Sequence, residues 1–363
     1  MNKRSTSYLF ILTTFLFGTA CTVSKQVSLL KPGDGNIQTD GRIKQLNPES
    51  AEIYWPGSSV KIKFSGRDVK AILKDEKGFN FFNVIVDDSL VQTFRVDTAK
   101  ATYTLATGLS NGEHTVELAK RADWFRGKTL FYGFQLAPGS KIMDVPVKKR
   151  MIEFYGNSIT VGAAVEDNVG DGGDSTYTNN YRSYASITAR HFNSRYSCIA
   201  SSGIGVMVSW GNLIMPDIYD RLNPDDSTSK WDFSKTQPGI VVINLLQNDC
   251  ALLTLPDHPQ FKRKFGEKAP AEDFIIKAYS NFVQRIRGHY PEAYIICVLG
   301  TMDAVKPGSP WPGYIEKSVA GMHDPKILTH FFEYKNTPGH PKVHEQEKMA
   351  DDLIRFIDSH ITW

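Results

Sequence analysis

Two hydrophobic periodicities divide the chain. From about Arg42 to Lys141, apolar and polar residues alternate in short runs, with Val60, Ile62 and Phe64 in one and Phe82, Val84 and Val86 in another. Period two puts one face of an extended strand on a core. Asp87-Asp88-Ser89 and Asn111-Gly112 supply turn chemistry between such runs, and HTVELA and TLFYGFQL continue the series. Closely spaced short strands without a helical stretch predict a jelly-roll-like β-sandwich over residues 41–143.

After Pro138-Gly139 the grammar changes. Continuous apolar runs (MIEFYG, YSCIAS, GIVVINLL, AYIICVLG) alternate with helix-like stretches such as YRSYASITARHF and EDFIIKAYSNFVQRI. In the final stretch Met349, Leu353, Phe356 and Ile357 share one helical face, while Asp351, Asp352 and Arg355 fall elsewhere. Apolar strands alternating with helices predict a parallel sheet covered on both faces, hence an α/β domain over residues 144–363. Functional residues in such a sheet belong just past the carboxyl ends of its strands.

The N-terminus follows neither pattern. Lys3 and Arg4 precede an apolar run from Tyr8 to Phe17, and Gly18-Thr19-Ala20-Cys21 ends it. This is the order of a secretory leader, and the run is too short to span a bilayer. Small residues before a cysteine resemble the lipobox of bacterial lipoproteins, so residues 1–21 are expected to be a leader, with Cys21 the lipidation site in the cell envelope. Residues 22–40 lack periodicity and read as a tether. Cys198, Cys250 and Cys297, spread over apolar segments, read as buried thiols. At 363 residues, 41% hydrophobic and 22% charged, the chain has the length and composition of two folded domains. A net charge of +3 without a dense basic block points away from nucleic acid, and the membrane is expected to be met only through the lipid.

Four places in the second domain carry chemistry. The first strand runs into Gly156-Asn157-Ser158, where a small residue lets the chain turn and expose a hydroxyl. The second ends in Ser201-Ser202-Gly203, where glycine permits close approach to a backbone N–H. The third ends in Gln247-Asn248-Asp249, whose amide can donate to a developing oxyanion. His340-Pro341 stands just before the last helix. His340 and His344 also have i, i+4 metal-pair spacing, but neither an HExxH context nor a third ligand accompanies them, and DNVGDGGDS lacks the bidentate Glu of a calcium loop. No metal or cofactor is called for.

In this order the four blocks resemble the SGNH hydrolase superfamily, also called GDSL esterases. The resemblance implies a flavodoxin-like sheet, Ser158 as nucleophile, His340 as base, and an oxyanion hole built from Ser158, Gly203 and Asn248. GNSIT stands for the more usual GDSIT, Leu246 replaces the family's glycine, and Thr337 occupies the aspartate place of Asp-x-x-His-Pro. A sandwich containing WPGSSVKIKF, together with HPKVHEQEKMA near the end, resembles carbohydrate esterase family 2 more narrowly. That resemblance implies removal of O-acetyl groups from plant polysaccharides such as xylan and glucomannan, in some members by a Ser-His dyad whose histidine is oriented by a backbone carbonyl. The expectation here is therefore a dyad, with a carbonyl from residues 336–339 orienting His340 and Glu333 or Asp303 as the acidic alternatives. Trp210 and Trp311 are the candidates for stacking on a sugar ring, and an acetylated polysaccharide or oligosaccharide is the expected partner. Competing readings are a lipid or thioester hydrolase on the same fold, or a surface carbohydrate-binding lipoprotein without catalysis.

Overall fold

The computed structural model of the protein describes residues 28–363. Its first part holds twelve strands: β1 Ser28–Leu30, β2 Gln38–Asp40, β3 Ile43–Asn47, β4 Ser50–Ile53, β5 Ser59–Ser65, β6 Val69–Asp75, β7 Phe81–Val86, β8 Ser89–Arg95, β9 Ala101–Ala106, β10 Glu113–Lys120, β11 Thr129–Leu136 and β12 Lys141–Met143. They form two antiparallel sheets, ordered β3-β4-β11-β6-β9 with β1 also on β11, and β12-β5-β10-β7-β8 with β2 also on β5. The inward residues of the alternating runs, among them Ile62, Phe64, Phe82 and Val84, are fully buried between the sheets.

The expected tether is corrected from Ser28 onward. Ser28–Leu30 pairs with Leu136–Phe134, Gln38–Asp40 pairs with Lys61–Ser59, and Leu30 and Ile37 enter the sandwich core. Strands of three residues are too short to display period two, so their pairing is set by the partner strand. Residues 22–27 and the leader with Cys21 lie outside the described residues.

The second part interleaves five strands, β13 Met151–Gly156, β14 Arg195–Ala200, β15 Ile240–Asn244, β16 Tyr294–Leu299 and β17 Ile327–Phe331, with eight helices: α1 Ser158–Val161, α2 Tyr184–His191, α3 Met215–Ile218, α4 Gln247–Leu253, α5 Pro259–Phe265, α6 Glu272–His289, α7 Trp311–Ala320 and α8 Val343–His360. All strand pairs are parallel, in the order β14-β13-β15-β16-β17, which is the flavodoxin-like arrangement. One apolar cluster joins Tyr155, Val241, Ile243 and Cys297 to Phe282 of α6 and Ile315 of α7. On the opposite face Phe154, Val242 and Val298 join Ala185 of α2 and Leu353 of α8. Strand order reverses at β13, so its carboxyl end opens the crevice in which α/β sheets place their sites.

The sandwich is welded to this sheet. Tyr54 and Trp55 belong to the second domain's core cluster, and Trp55 Nε1 donates to Leu222 O at 3.0 Å. Arg42, with no exposed surface, donates to Tyr219 O at 2.6 Å and the Tyr155 hydroxyl at 3.0 Å, and pairs with buried Glu153 at 3.4 Å. A charge buried this deeply persists only with such partners.

Candidate active site

Ser158 opens α1 directly beyond β13. Asn157 caps that helix by accepting from Ile159 N at 3.0 Å, which fixes the turn. A side chain at Gly156 would bring its Cβ within 2.0 Å of Thr160 Oγ1, so only glycine allows the helix to fold back this tightly. Ser158 Oγ then lies 2.8 Å from His340 Nε2 across 182 residues of sequence.

The far side of the imidazole is held by a residue that the sequence reading passed over. His340 Nδ1 lies 2.9 Å from both carboxylate oxygens of Asp171, and His340 N donates to Asp171 Oδ1 at 2.8 Å. A proton on Nδ1 satisfies Asp171 and leaves Nε2 free to accept from the serine hydroxyl. The hydrogen bond from His340 holds the Asp171 carboxyl well below the usual carboxylate range. Gly339, at φ +71°, is required here as well, because a Cβ on it would come within 2.7 Å of Asp171 Cγ.

Asp171 is itself built into place. Asp167 gathers the backbone N–H groups of Gly172, Gly170 and Val169 at 2.7, 2.8 and 3.1 Å. Lys342 Nζ donates to Gly170 O at 2.7 Å and Ala164 O at 3.1 Å, and stands 3.6 Å from Asp171. The glycine-rich DNVGDGGDS stretch is thus a carboxylate-bearing loop curled around one of its own aspartates.

The other side of the serine carries hydrogen-bond donors. Asn248, the second residue of α4, donates from Nδ2 to Ile204 O at 2.8 Å and accepts on Oδ1 from Trp210 Nε1 at 3.1 Å. These contacts fix which end of the amide is nitrogen and leave one N–H unused. Among the described residues no acceptor within the protein takes up the backbone N–H of Ser158 or Gly203. Gly203 O accepts from Trp210 N at 3.0 Å, and buried Asp249 receives Met207 N, Val206 N and Val208 N at 2.7 to 3.2 Å, so the 203–210 loop is tied to the start of α4. Leu246, standing at the family's glycine place, adopts φ +75° with its side chain fully buried. That backbone costs a non-glycine residue about 1 kcal/mol.

Comparison with known proteins fits this geometry. A family model for the carbohydrate esterase 2 N-terminal domain matches residues 39–146. The chain is 31% identical over 342 residues to the cellulase/esterase CelE of Acetivibrio thermocellus, covering 90% of this chain and 40% of that much longer relative. A solved family two carbohydrate esterase from Clostridium thermocellum, in complex with cellohexaose, aligns at TM-score 0.79 and 30% identity over 89% of this chain and 98% of that one. The chain belongs to carbohydrate esterase family 2. The chain is also similar to an acetylxylan esterase / glucomannan deacetylase of Cellvibrio japonicus, 22% identical over 98% of both chains. A family two structure from the same organism shares the fold at TM-score 0.81.

Against this family background the expected dyad is corrected. Neither acidic alternative reaches His340: Asp303 accepts from the Tyr334 hydroxyl at 3.4 Å, and the Glu333 backbone carbonyl accepts from Thr301 at 2.5 Å. Thr337 and Pro338 turn their carbonyls to Lys335 Nζ, and the Thr337 hydroxyl goes to Glu345. Asp171, from the loop between α1 and α2, takes the place at Nδ1 that those groups were expected to hold. The two tryptophans part company. Trp210 is 46% exposed beside Asn248, whereas Trp311 is 7% exposed, packed edge-on against Tyr314 at the start of α7, and presents no open face to a sugar. The signal for Asp171 in the sequence was a glycine-rich acidic loop without a metal-binding pattern, which needed some other use for its aspartates.

Proposed function

We propose that this family 2 member removes O-acetyl groups from plant cell-wall polysaccharide of the xylan or glucomannan type through an acetyl-enzyme. The observation that carries the reading is the continuous hydrogen-bonded line Asp171–His340–Ser158 at the switch point of the sheet. Ser158 Oγ attacks the ester carbonyl while His340 Nε2 takes its proton, and the same imidazole delivers that proton to the departing sugar oxygen. Asp171 holds the Nδ1–H tautomer and offsets the imidazolium charge as it forms. The N–H groups of Ser158 and Gly203 and the free N–H of Asn248 receive the negative oxygen. Water, deprotonated by His340, then releases acetate and restores the serine.

The surroundings favour a sugar over a long acyl chain. Trp210 offers an exposed ring next to the oxyanion donors, and the cleft along the histidine loop is lined by Met302, Asp303, Tyr334, Asn336, Thr337 and Pro338, which carry mostly polar groups. Cellohexaose bound to the Clostridium thermocellum relative is in keeping with a glycan partner. The leader-like N-terminus would deliver the enzyme to the cell envelope, anchored through lipid on Cys21.

Assays with p-nitrophenyl esters and with acetylated xylan and glucomannan test the reading. Acetate is expected to be released from polymer, and turnover to fall steeply from acetyl to longer acyl groups. Faster turnover of octanoyl than acetyl esters would assign a lipid hydrolase, and no turnover of any ester a binding protein. Incorporation of labelled palmitate, lost on Cys21→Ser, tests the anchor.

A further inference from the structure

The turn between β10 and β11 belongs to the sandwich, yet it touches both loops that frame the nucleophile. On one side Asp123, 3% exposed, accepts from Ser202 N at 2.7 Å and from Ser202 Oγ at 2.9 Å. Ser202 immediately precedes Gly203, and the two share the peptide plane that carries the Gly203 N–H. On the other side Arg121 donates to Thr178 O at 3.1 Å and Thr176 O at 2.9 Å and pairs with Glu166, at the two ends of the loop that bears Asp171. Arg126 reaches Gly173 O in the same loop.

The carboxylate is not there by accident of packing. Burial penalises its charge, so it needs a full set of donors, and Ser202 supplies both of the donors it has on the catalytic domain. Its backbone is pinned too, since buried Lys120 donates from Nζ to Asp123 O at 3.0 Å and Ala122 O at 2.8 Å. Ser202 is thereby clamped from the sandwich, while Asp249 clamps Val206 to Val208 from within the catalytic domain. The oxyanion loop hangs between two buried carboxylates, one from each domain.

We infer that Asp123 is a positioning residue for the oxyanion hole, and that the sandwich contributes this loop as a structural part of the catalytic site. The inference rests on the esterase reading above, because it assigns Asp123 to the placement of the Gly203 N–H. An oxyanion donor works only if preorganised, and losing one costs about a hundred- to a thousand-fold. Loosening one by releasing its neighbour is expected to cost less, about ten- to fifty-fold, and to appear in kcat because the oxyanion exists only past the ground state.

The test compares the wild-type chain with Asp123→Ala, Asp123→Asn and Ser202→Ala, using p-nitrophenyl acetate. Asp123→Ala is expected to lower kcat about ten- to fifty-fold with KM changed less than about twofold. Asp123→Asn, which can still accept from Ser202 N and donate to Ser202 Oγ, should regain most of that loss. Ser202→Ala removes only the hydroxyl contact and should lower kcat about three- to fivefold, which keeps the inference testable even if Asp123→Ala folds poorly. Arg195→Gln is the control. It breaks another contact between the domains, to Asp40 and Thr39 at the opposite end of β14, and should lower the melting temperature without changing kcat. Wild-type kcat in both Asp123→Asn and Ser202→Ala together with an unchanged or KM-only effect in Asp123→Ala would overturn the inference, as would an equal kcat loss in Arg195→Gln. A wild-type protein inactive on every ester would instead overturn the esterase reading itself.

Discussion

The two flanks of Ser158 are built by different means. The oxyanion flank is carried by strand ends and the start of α4: Ser158, Asn248 and Asp249 are each 8% exposed or less, and the loop through Gly203 is tied to buried carboxylates. The base flank stands on two loops. His340 and Asp171 keep 27% and 36% of their side chains exposed, and their positions come from ionic and hydrogen-bonded contacts with each other and with Lys342. Carboxylates hold both flanks, but those of the oxyanion flank are buried and that of the base flank is partly exposed. Donors to a developing oxyanion lose effect if they must reorganise, whereas a base that serves both halves of an acyl transfer must exchange protons with a leaving group and with water.

The predictions probe that contrast. Removing the proposed nucleophile, by Ser158→Ala, should lower kcat by at least about 10⁴-fold and end acetyl-enzyme formation, which a burst experiment reads. Asp171→Asn should lower kcat on p-nitrophenyl acetate by about 10²-fold or more, since the imidazole loses the partner that selects its tautomer, while Thr337→Ala at the family's aspartate place leaves kcat within about twofold. If the two variants behave alike, the base flank is a dyad after all. On the oxyanion flank Asn248→Ala should cost about 10²-fold, with the melting temperature shifted little.

A smaller effect distinguishes two uses of Trp210. Trp210→Phe keeps a ring for a sugar but removes the indole N–H that orients Asn248, so kcat on p-nitrophenyl acetate should fall about fivefold, the value of one hydrogen bond of about 1 kcal/mol. Trp210→Leu should additionally raise KM for the acetylated polymer; an unchanged kcat in the phenylalanine variant would leave Trp210 with stacking alone. The smallest effect is on stability. Asp171 in the folded protein titrates below the unfolded carboxyl value of about 3.9, so its contribution is complete above that pH and is lost as the pH falls towards the lower, folded value. The melting-temperature gap between wild type and Asp171→Asn should narrow as the pH falls below about 4.

Particular residues mark how far the sequence could be read. Ser158, Gly203 and Asn248 each follow a strand whose apolar run is continuous, and parallel strands place such residues along one rim, so three positions of the proposed site were legible from local pattern and order. His340 was legible from the proline after it and the helix it precedes. Asp171 was not, because nothing along the chain relates a glycine-rich loop to a histidine 169 residues away. Trp311 failed for a related reason: a tryptophan at a helix start reads alike whether its ring faces solvent or the core. The three-residue strands at Ser28–Leu30 and Gln38–Asp40 were invisible because their pairing partners, not their own sequence, make them strands.

What the sequence determined by itself follows from short-range rules: the period of the apolar residues chose a sandwich and then a parallel sheet, and the turn residues chose where a hydroxyl and two backbone N–H groups would be left exposed. The tertiary structure alone decided which acid meets the imidazole, which indole turns the Asn248 amide, and that a sandwich turn closes on the oxyanion loop. Those pairings join segments tens to hundreds of residues apart through single hydrogen bonds. Their energies depend on distances of a few tenths of an ångström, which local propensity does not encode and which only the packed domains can set.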